Sequence, residues 1–344
     1  RVRAGHVFKL FTRHRATVQM PPARTPEMLR GPLQEICLQL RLAPLVAEMP
    51  LATAMDRMIA TPPEHAIVAA VSSLQRTGAL DAQEGLTPLG RHLATLPTEI
   101  AVGRLIVYGA LLRCAQPILL IAAALSDRSP FLQPMARRDE AKMVQSAFNR
   151  EVSDHLAVLE AHRQWDRARK EGGASEGRRF ADRHFLSERT LQGMTDMASQ
   201  FYDQLAQQGL LPRLRRLSAR ARDAALAHAN ANADNPMLLK AVLCAGLFPN
   251  VLKVTPGKHA PSLSQQKQQV YIHPSSFNKG AARFDTGWLV YHEKVATAKI
   301  FVHDCTAVTA LDLFLFGAEP QVLHAQHRIL IDGWIEHRVS PRTA

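Results

Sequence analysis

The sequence predicts a mainly α protein that ends in an all-β barrel, and three observations carry that reading. Apolar residues recur at helical spacing, behind explicit cap residues, from Thr61 to Phe248. After Pro249 the texture changes to short β-type runs separated by turn-rich, basic loops. Near the end, Asp332-Gly333 stands between two apolar runs, the strongest two-residue hairpin signal.

Taken in order, residues 1–30 carry seven basic side chains (Arg1, Arg3, Lys9, Arg13, Arg15, Arg24, Arg30) against one acid, Glu27. Within them His6 to Phe11 has the apolar alternation of a strand, and the abrupt opening without Met suggests a truncated chain. Pro26 to Leu42 reads as a helix with Leu29, Leu33, Ile36, Cys37 and Leu40 on one face. Thr61-Pro62-Pro63-Glu64 reads as a capped helix start, and Gly78 as its left-handed stop. Leu80 and Leu86 flank a short turn that suits a tiny hairpin, after which Thr87-Pro88 caps another helix. Helices around a small hairpin make a winged helix over residues 28–97.

Residues 99–209 are helical in pattern throughout. Val102 to Leu112 and Pro117 to Leu125 are two buried helices, and Asp139 to Phe148 is a third. Asp154 to Lys170 comes after a Ser153 cap, and a helix carrying Leu191, Met194 and Phe201 comes after a Ser187 cap. Gly172-Gly173-Ala174-Ser175 reads as a flexible loop between them. Arg213, Arg215, Arg216, Arg220 and Arg222 come next, with two readings open: a phosphate-facing edge or a solvated connector. Asn235-Pro236 caps the next helix. The runs at 251–254, 270–272, 288–291, 299–302, 328–331 and 334–339 then suggest five or six strands closing into a small barrel of the OB type.

The bulk numbers bound the partners. A chain of 344 residues, 47% hydrophobic and 21% charged, buries a sizeable core in two or three domains. Its net charge of +12 points to polyanions such as nucleic acid or an anionic membrane surface, although a generally basic proteome or an organellar address gives the same balance. Cys37, Cys114, Cys244 and Cys305 form no C-x-x-C pair, so core thiols in a reducing intracellular compartment fit better than disulfides or zinc. The 15 histidines are scattered and imply no metal site. The most apolar window, Leu105 to Leu125, is interrupted by Arg113, Gln116 and Pro117, so no membrane span is expected. Paired carboxylates, a nucleophile elbow and a glycine-rich cofactor loop are all missing, which disfavours a metabolic enzyme.

One stretch stands out chemically. Val270 to Ile272 runs into His273-Pro274-Ser275-Ser276-Phe277-Asn278-Lys279-Gly280, where hydroxyls, an amide, backbone N–H groups and a lysine gather at a strand end. Such a corner can hold phosphate oxygens, and it can equally be a plain turn.

Winged helix, helical bundle and OB-like barrel, in that order, resemble the carboxy-terminal half of DEAH/DExH-box RNA helicases. The words resemble it too. Arg1 to Thr12 is similar to the end of that family's arginine-finger motif and the strand beyond it, with Arg1 as the motif's final Arg. Pro32 to Leu40, then Gly78-Ala79-Leu80 with Leu86 to Gly90 and Leu96-Pro97, resemble its winged helix. Ala122 to Ser126 with Pro130-Phe131, then Ser153 to Ala157, resemble its ratchet domain. Tyr271 to Asn278, Trp288 to Tyr291, Lys294, Thr297, Thr306 to Val308 and Leu315 to Gly317 resemble its barrel.

The resemblance implies four segments: the tail of a second RecA-like lobe (1–27), a winged helix (28–97), a ratchet domain (98–235) and a helix leading into an OB-like barrel (236–344). It implies a parent that uses ATP and Mg2+ to translocate on single-stranded RNA and unwind or remodel it, with a protein activator docking on this half. His273, Ser275, Ser276, Asn278 and Lys279 would contact RNA, with Lys253, Lys258 and Lys267 on neighbouring segments, and Arg1 would meet ATP only beside the missing lobe. The sequence departs from the family by having no G-x-x-x-x-G-K-[ST] loop and no Asp-Glu-Ala-His box, so the chain alone is expected to be inactive as an ATPase. The competing expectation is a free-standing nucleic-acid or protein-binding adaptor without a motor.

Overall fold

The structure, a computed structural model, describes residues 3–21, 23–257, 260–281 and 283–338. His6 to Phe11, expected as a strand, is extended chain with no ladder partner among the described residues, and Val7, Phe8 and Leu10 are 87%, 87% and 99% exposed. Alternation makes a strand only when a neighbour takes its N–H and C=O groups.

Four short helices then build a first core. They are α1 (Gln34–Leu42), α2 (Leu51–Asp56), α3 (Glu64–Arg76) and α4 (Pro88–Ala94), and they enclose Leu38, Leu51, Met55, Leu74 and Leu80. The helix expected from Pro26 starts only at Gln34, since Pro32 disfavours helical backbone at Gly31 before it. The same effect moves the next start: Pro63 holds Pro62 out of the helix, so α3 begins at Glu64 and Thr61 does not cap it. Other local signals are realised. Gly78 takes φ +74 after α3, Leu80 bridges Leu86, and the Thr87 hydroxyl accepts from the Gly90 N–H.

The second part comprises α5 (Ile100–Leu111), α6 (Ala115–Ser126), α7 (Arg138–Ser146), α8 (Asp154–Arg183), α9 (Glu188–Gln207) and α10 (Ala219–Ala229). Ile106, Leu119, Trp165, Leu191 and Leu205 lie in its core. Ser153 and Ser187 cap α8 and α9 as their sequence context predicts. The expected Gly172-Gly173 loop is instead a kink inside α8, where Gly173 adopts φ +76 and the helix resumes. Downstream burial explains the resumption: Gly177 and Ala181 are buried, and Ala181 belongs to the core that holds Trp165.

Asn235 caps α11 (Pro236–Leu247), which is buried nearly all round between α5 on one side and the barrel end on the other. A cis Phe248-Pro249 bond leads into β1 (Val251–Thr255), β2 (Ser262–Gln265), β3 (Gln268–Ile272), β4 (Trp288–Ala296) and β5 (Ile300–Val308). These close as β1-β2-β3-β5-β4, with β3 and β5 parallel and the other pairs antiparallel. A Thr309–Asp312 capping box then starts α12 (Ala310–Phe316).

The last two expected strands do not enter the barrel. With β6 (Gln321–Leu323), β7 (Arg328–Ile331) and β8 (Ile335–Arg338) form a separate sheet, since five strands already close the barrel. The Asp332-Gly333 turn does join β7 to β8, with φ +51 and +72. Ile331 and Ile335 beside it are buried in the cluster that includes Trp288 and Val308. That cluster also runs through Leu105, Ile118, Leu159, Leu243 and Val251, so the helical part and the barrel share one core. The four cysteines are buried and unpaired, and no described helix is long and apolar enough to cross a membrane.

Candidate nucleic-acid interface

The corner after β3 is a chain of tight turns. The His273 N–H donates to Val302 C=O at 3.0 Å. Ser276, Lys279 and Ala281 then each donate to the carbonyl three residues earlier, at 3.1, 3.2 and 3.2 Å. Pro274 starts the bend and Gly280, at φ +92, releases it.

Part of the corner faces inward and fastens the barrel to the first turn of α8. The Asp154 carboxylate accepts from Ser276 Oγ at 2.6 Å, from the Phe277 N–H at 2.9 Å and from the Cys305 N–H at 2.8 Å. Asn278, 2% exposed, donates from Nδ2 to Cys305 C=O at 2.9 Å and accepts from Asn149 Nδ2 at 3.2 Å. Thr306 shares 2.6 Å hydrogen bonds with Ser153 Oγ and with His155 Nδ1. The Phe277 ring meets Phe131 edge-on at 4.8 Å.

Burial pushes the Asp154 carboxyl up to about 6, against the pull of the Ser276 hydroxyl and the Cys305 and Phe277 N–H groups. It is therefore a carboxylate at neutral pH, placed favourably at the positive end of α8. Burial holds His155 down to about 3, with His292 adding to the effect, so its ring is neutral.

The other part of the corner faces solvent: His273 is half-buried, and Ser275 and Lys279 are exposed. His273 stacks on His303 with ring centres 3.9 Å apart. Its Nδ1 accepts the Ser275 N–H at 3.2 Å and lies 2.7 Å from Ser275 Oγ. A ring nitrogen that accepts a backbone N–H carries no proton, so the neutral ring holds its proton on Nε2. Burial, then His303 and then Lys279 lower the His273 pKa and favour that neutral form.

The expected binding set therefore divides. His273, Ser275 and Lys279 form one outward group, whereas the Ser276 and Asn278 side chains are taken up by the seam with α8. Lys267 is not beside them: it lies in the β2–β3 turn, at the opposite end of β3, on a cleft of about 630 Å3 with Arg76, Lys294 and Trp334. Lys253 is exposed on β1, near His337, whose pKa its charge helps lower after burial. Lys258 and Arg1 lie outside the described residues. Asp154, Asn149 and Thr306 were not among the expected site residues. Nothing local in Ser153-Asp154 beyond a helix cap announces a partner at Ser276.

Three family models match the chain in the order of its parts: a winged-helix helicase-associated domain at residues 70–98, a ratchet-like helicase-associated domain at 99–185, and an OB fold at 239–319. The chain belongs to the DExH-box helicase family and carries the domains of its carboxy-terminal region. It is 34% identical over 352 residues to the ATP-dependent DNA/RNA helicase DHX36 of Bos taurus, covering 100% of this chain and 34% of that relative. It is 35% identical over 372 residues to the putative ATP-dependent RNA helicase DHX57 of Homo sapiens, covering 97% and 26%. With the ATP-dependent RNA helicase DHX29 of Homo sapiens it shares 33% identity over 345 residues, covering 97% and 24%. The chain thus spans about a third or less of the length of these relatives.

ATP and Mg2+ were expected for the parent protein, and neither was expected bound to this chain alone. The sequence has no phosphate loop, and no group of three or more His, Cys, Asp or Glu among the described residues is placed to hold a metal ion.

Proposed function

We propose that this chain supplies the RNA-contacting wall of an ATP-dependent DExH-box helicase, with the winged helix (28–97), the ratchet (98–235) and the helix leading into the barrel (236–344) acting beside ATPase lobes that hydrolyse ATP with Mg2+. The observation that carries this is the outward group at the seam: the His273 Nε2–H and the Lys279 ammonium present two donors on a corner rigidly tied to α8, and the Ser275 hydroxyl, donating to the unprotonated His273 Nδ1 at 2.7 Å, sets the orientation of that ring. Donors without a base-reading pocket suit phosphate oxygens and a strand that must slide past, as translocation on single-stranded RNA requires. Lys253 and Lys267 add positive field on other faces of the barrel.

The test is RNA binding by the chain over a salt series. Replacing His273, Ser275 and Lys279 by Ala is expected to weaken binding to single-stranded RNA by about tenfold and to flatten its salt dependence, with melting unchanged. Wild-type affinity and salt slope in that variant would remove the corner from the RNA path.

A further inference from the structure

Several cations on the helical part are neutralised in place. Arg137 pairs with Glu140, Arg163 with Asp234, Arg169 and Lys170 with Asp166, and Arg179 and Arg183 with Glu176. The segment joining α9 to α10 differs in its density of unpaired charge. It holds Arg213, Arg215, Arg216, Arg220 and Arg222, with no acid until Asp223. Arg213 turns back on α9 and donates to the Ala206 and Gln207 carbonyls, each at 3.3 Å, as a C-terminal cap.

The other four arginines are exposed. Arg215 approaches Asp203 at 3.6 Å, yet its side chain is 91% exposed. Among the described residues Arg216, Arg220 and Arg222 have no carboxylate within ion-pair distance.

The helix that carries the last two is unusual in what holds it. Of α10 only Ala229 is buried, so the core does not account for the helix. Alanines at 219, 221, 224, 225, 227 and 229, with the Ser218 hydroxyl accepting from the Ala221 N–H, account for it by propensity and capping. Its first turn contains no acid, and Arg220 and Arg222 stand near its positive end, where the helix dipole disfavours cations. Packing and internal electrostatics therefore give no reason for this charge, whereas an external polyanion does. Guanidinium groups grip phosphate in two-pronged fashion. No Phe, Tyr or Trp occurs from Asp203 to Leu247, so this segment carries none of the large aromatic rings that serve as base-stacking platforms.

We propose that Arg215, Arg216, Arg220 and Arg222, with the positive end of α10, form a second RNA-backbone contact that holds phosphates without reading sequence, on different elements from the His273–Lys279 corner. This rests on the RNA-binding reading of the chain given above.

The experiment uses the full 344-residue chain, a labelled single-stranded RNA and a salt series from about 50 to about 200 mM. Arg215, Arg216, Arg220 and Arg222 are replaced together by Gln, and separately by Lys. The Gln variant is expected to bind about tenfold more weakly at the lowest salt. The slope of log affinity against log salt should fall by about 0.7 for each phosphate that is no longer held. Preference among RNA sequences and the melting temperature should stay as in the wild type, and the Lys variant should recover most of the slope. Wild-type affinity and slope in the Gln variant, with binding still sensitive to the corner triple variant, would overturn this inference and leave the corner reading standing. A wild-type chain that binds no RNA would overturn both. Unchanged RNA binding, together with abolished binding to an acidic peptide or to anionic vesicles, would reassign the segment to that partner.

Discussion

Asp154 and Ser276, distant in sequence, meet at 2.6 Å and fasten the first turn of the longest helix to the corner of the barrel. The same carboxylate receives two backbone N–H groups, from Phe277 and Cys305, so one side chain fixes both the corner and β5. Asp154→Ala leaves one buried and two half-buried donors without their acceptor and is expected to cost about 3 kcal/mol, read as a lower denaturation midpoint. Ser276→Ala removes one of the three bonds, and about 1.5 to 3 kcal/mol is the expected loss. RNA affinity measured well below the transition should fall less in Ser276→Ala than in Lys279→Ala. The reverse ranking would mean that the Ser276 hydroxyl serves the strand and not the seam.

Acid is expected to loosen the helical part. Burial holds His155 down to about 3 and His162 down to about 4, so the stability these neutral rings confer is present above pH 6.5 and is lost as pH falls toward those values. Asp154 runs the other way: raised to about 6, it favours the fold below pH 3.8 and that favour is lost as pH rises through 6. His273 and His337 are lowered as well and Asp304 is raised like Asp154, so the lowered histidines outnumber the raised aspartates and stability is expected to fall between pH 6 and pH 4. Thermal melts across that range should show a falling midpoint, and His162→Gln should make the fall shallower. A midpoint that rises toward pH 4 would contradict these assignments.

The kink in α8 should tolerate a side chain poorly for backbone reasons alone. A Cβ added at Gly173 meets no atom within 4 Å, so the cost of Gly173→Ala is that of holding φ +76 and ψ −177, a region essentially reserved for glycine, about 1 to 3 kcal/mol. Chemical denaturation measures it directly. A stabilised variant would show that α8 runs straight through this point.

The chain by itself is expected to release no phosphate from ATP, with or without RNA, since it lacks the loop and carboxylate that place the nucleotide. Phosphate release by the purified chain, tracking with it through two chromatographic steps, would refute that.

Local chemistry was the legible part of the sequence. The Thr87, Ser153, Ser187 and Asn235 caps and the Asp332-Gly333 turn lie where their neighbours in sequence predict, because each involves residues within a few positions. Gly172-Gly173 misled for the complementary reason: two glycines favour a break, but buried Gly177 and Ala181 farther along keep the helix going. Short elements such as α2, β2 and α12 carry too few turns or alternations to show a period. The corner was visible as a concentration of polar groups, but its division into an inward and an outward half was not. That division depends on Asp154 and Cys305, which only the closed barrel brings to Ser276 and Asn278.

The shared core has a consequence for how the molecule can be divided. A cut between Asn235 and Pro236 respects the sequence boundary but runs along a helix that gives one flank to α5 and the other to the barrel end. Either piece would carry a bare apolar face into water. The ratchet and barrel are therefore expected to unfold as one cooperative unit and to aggregate when produced apart, whereas the winged helix, with its separate core, can melt on its own.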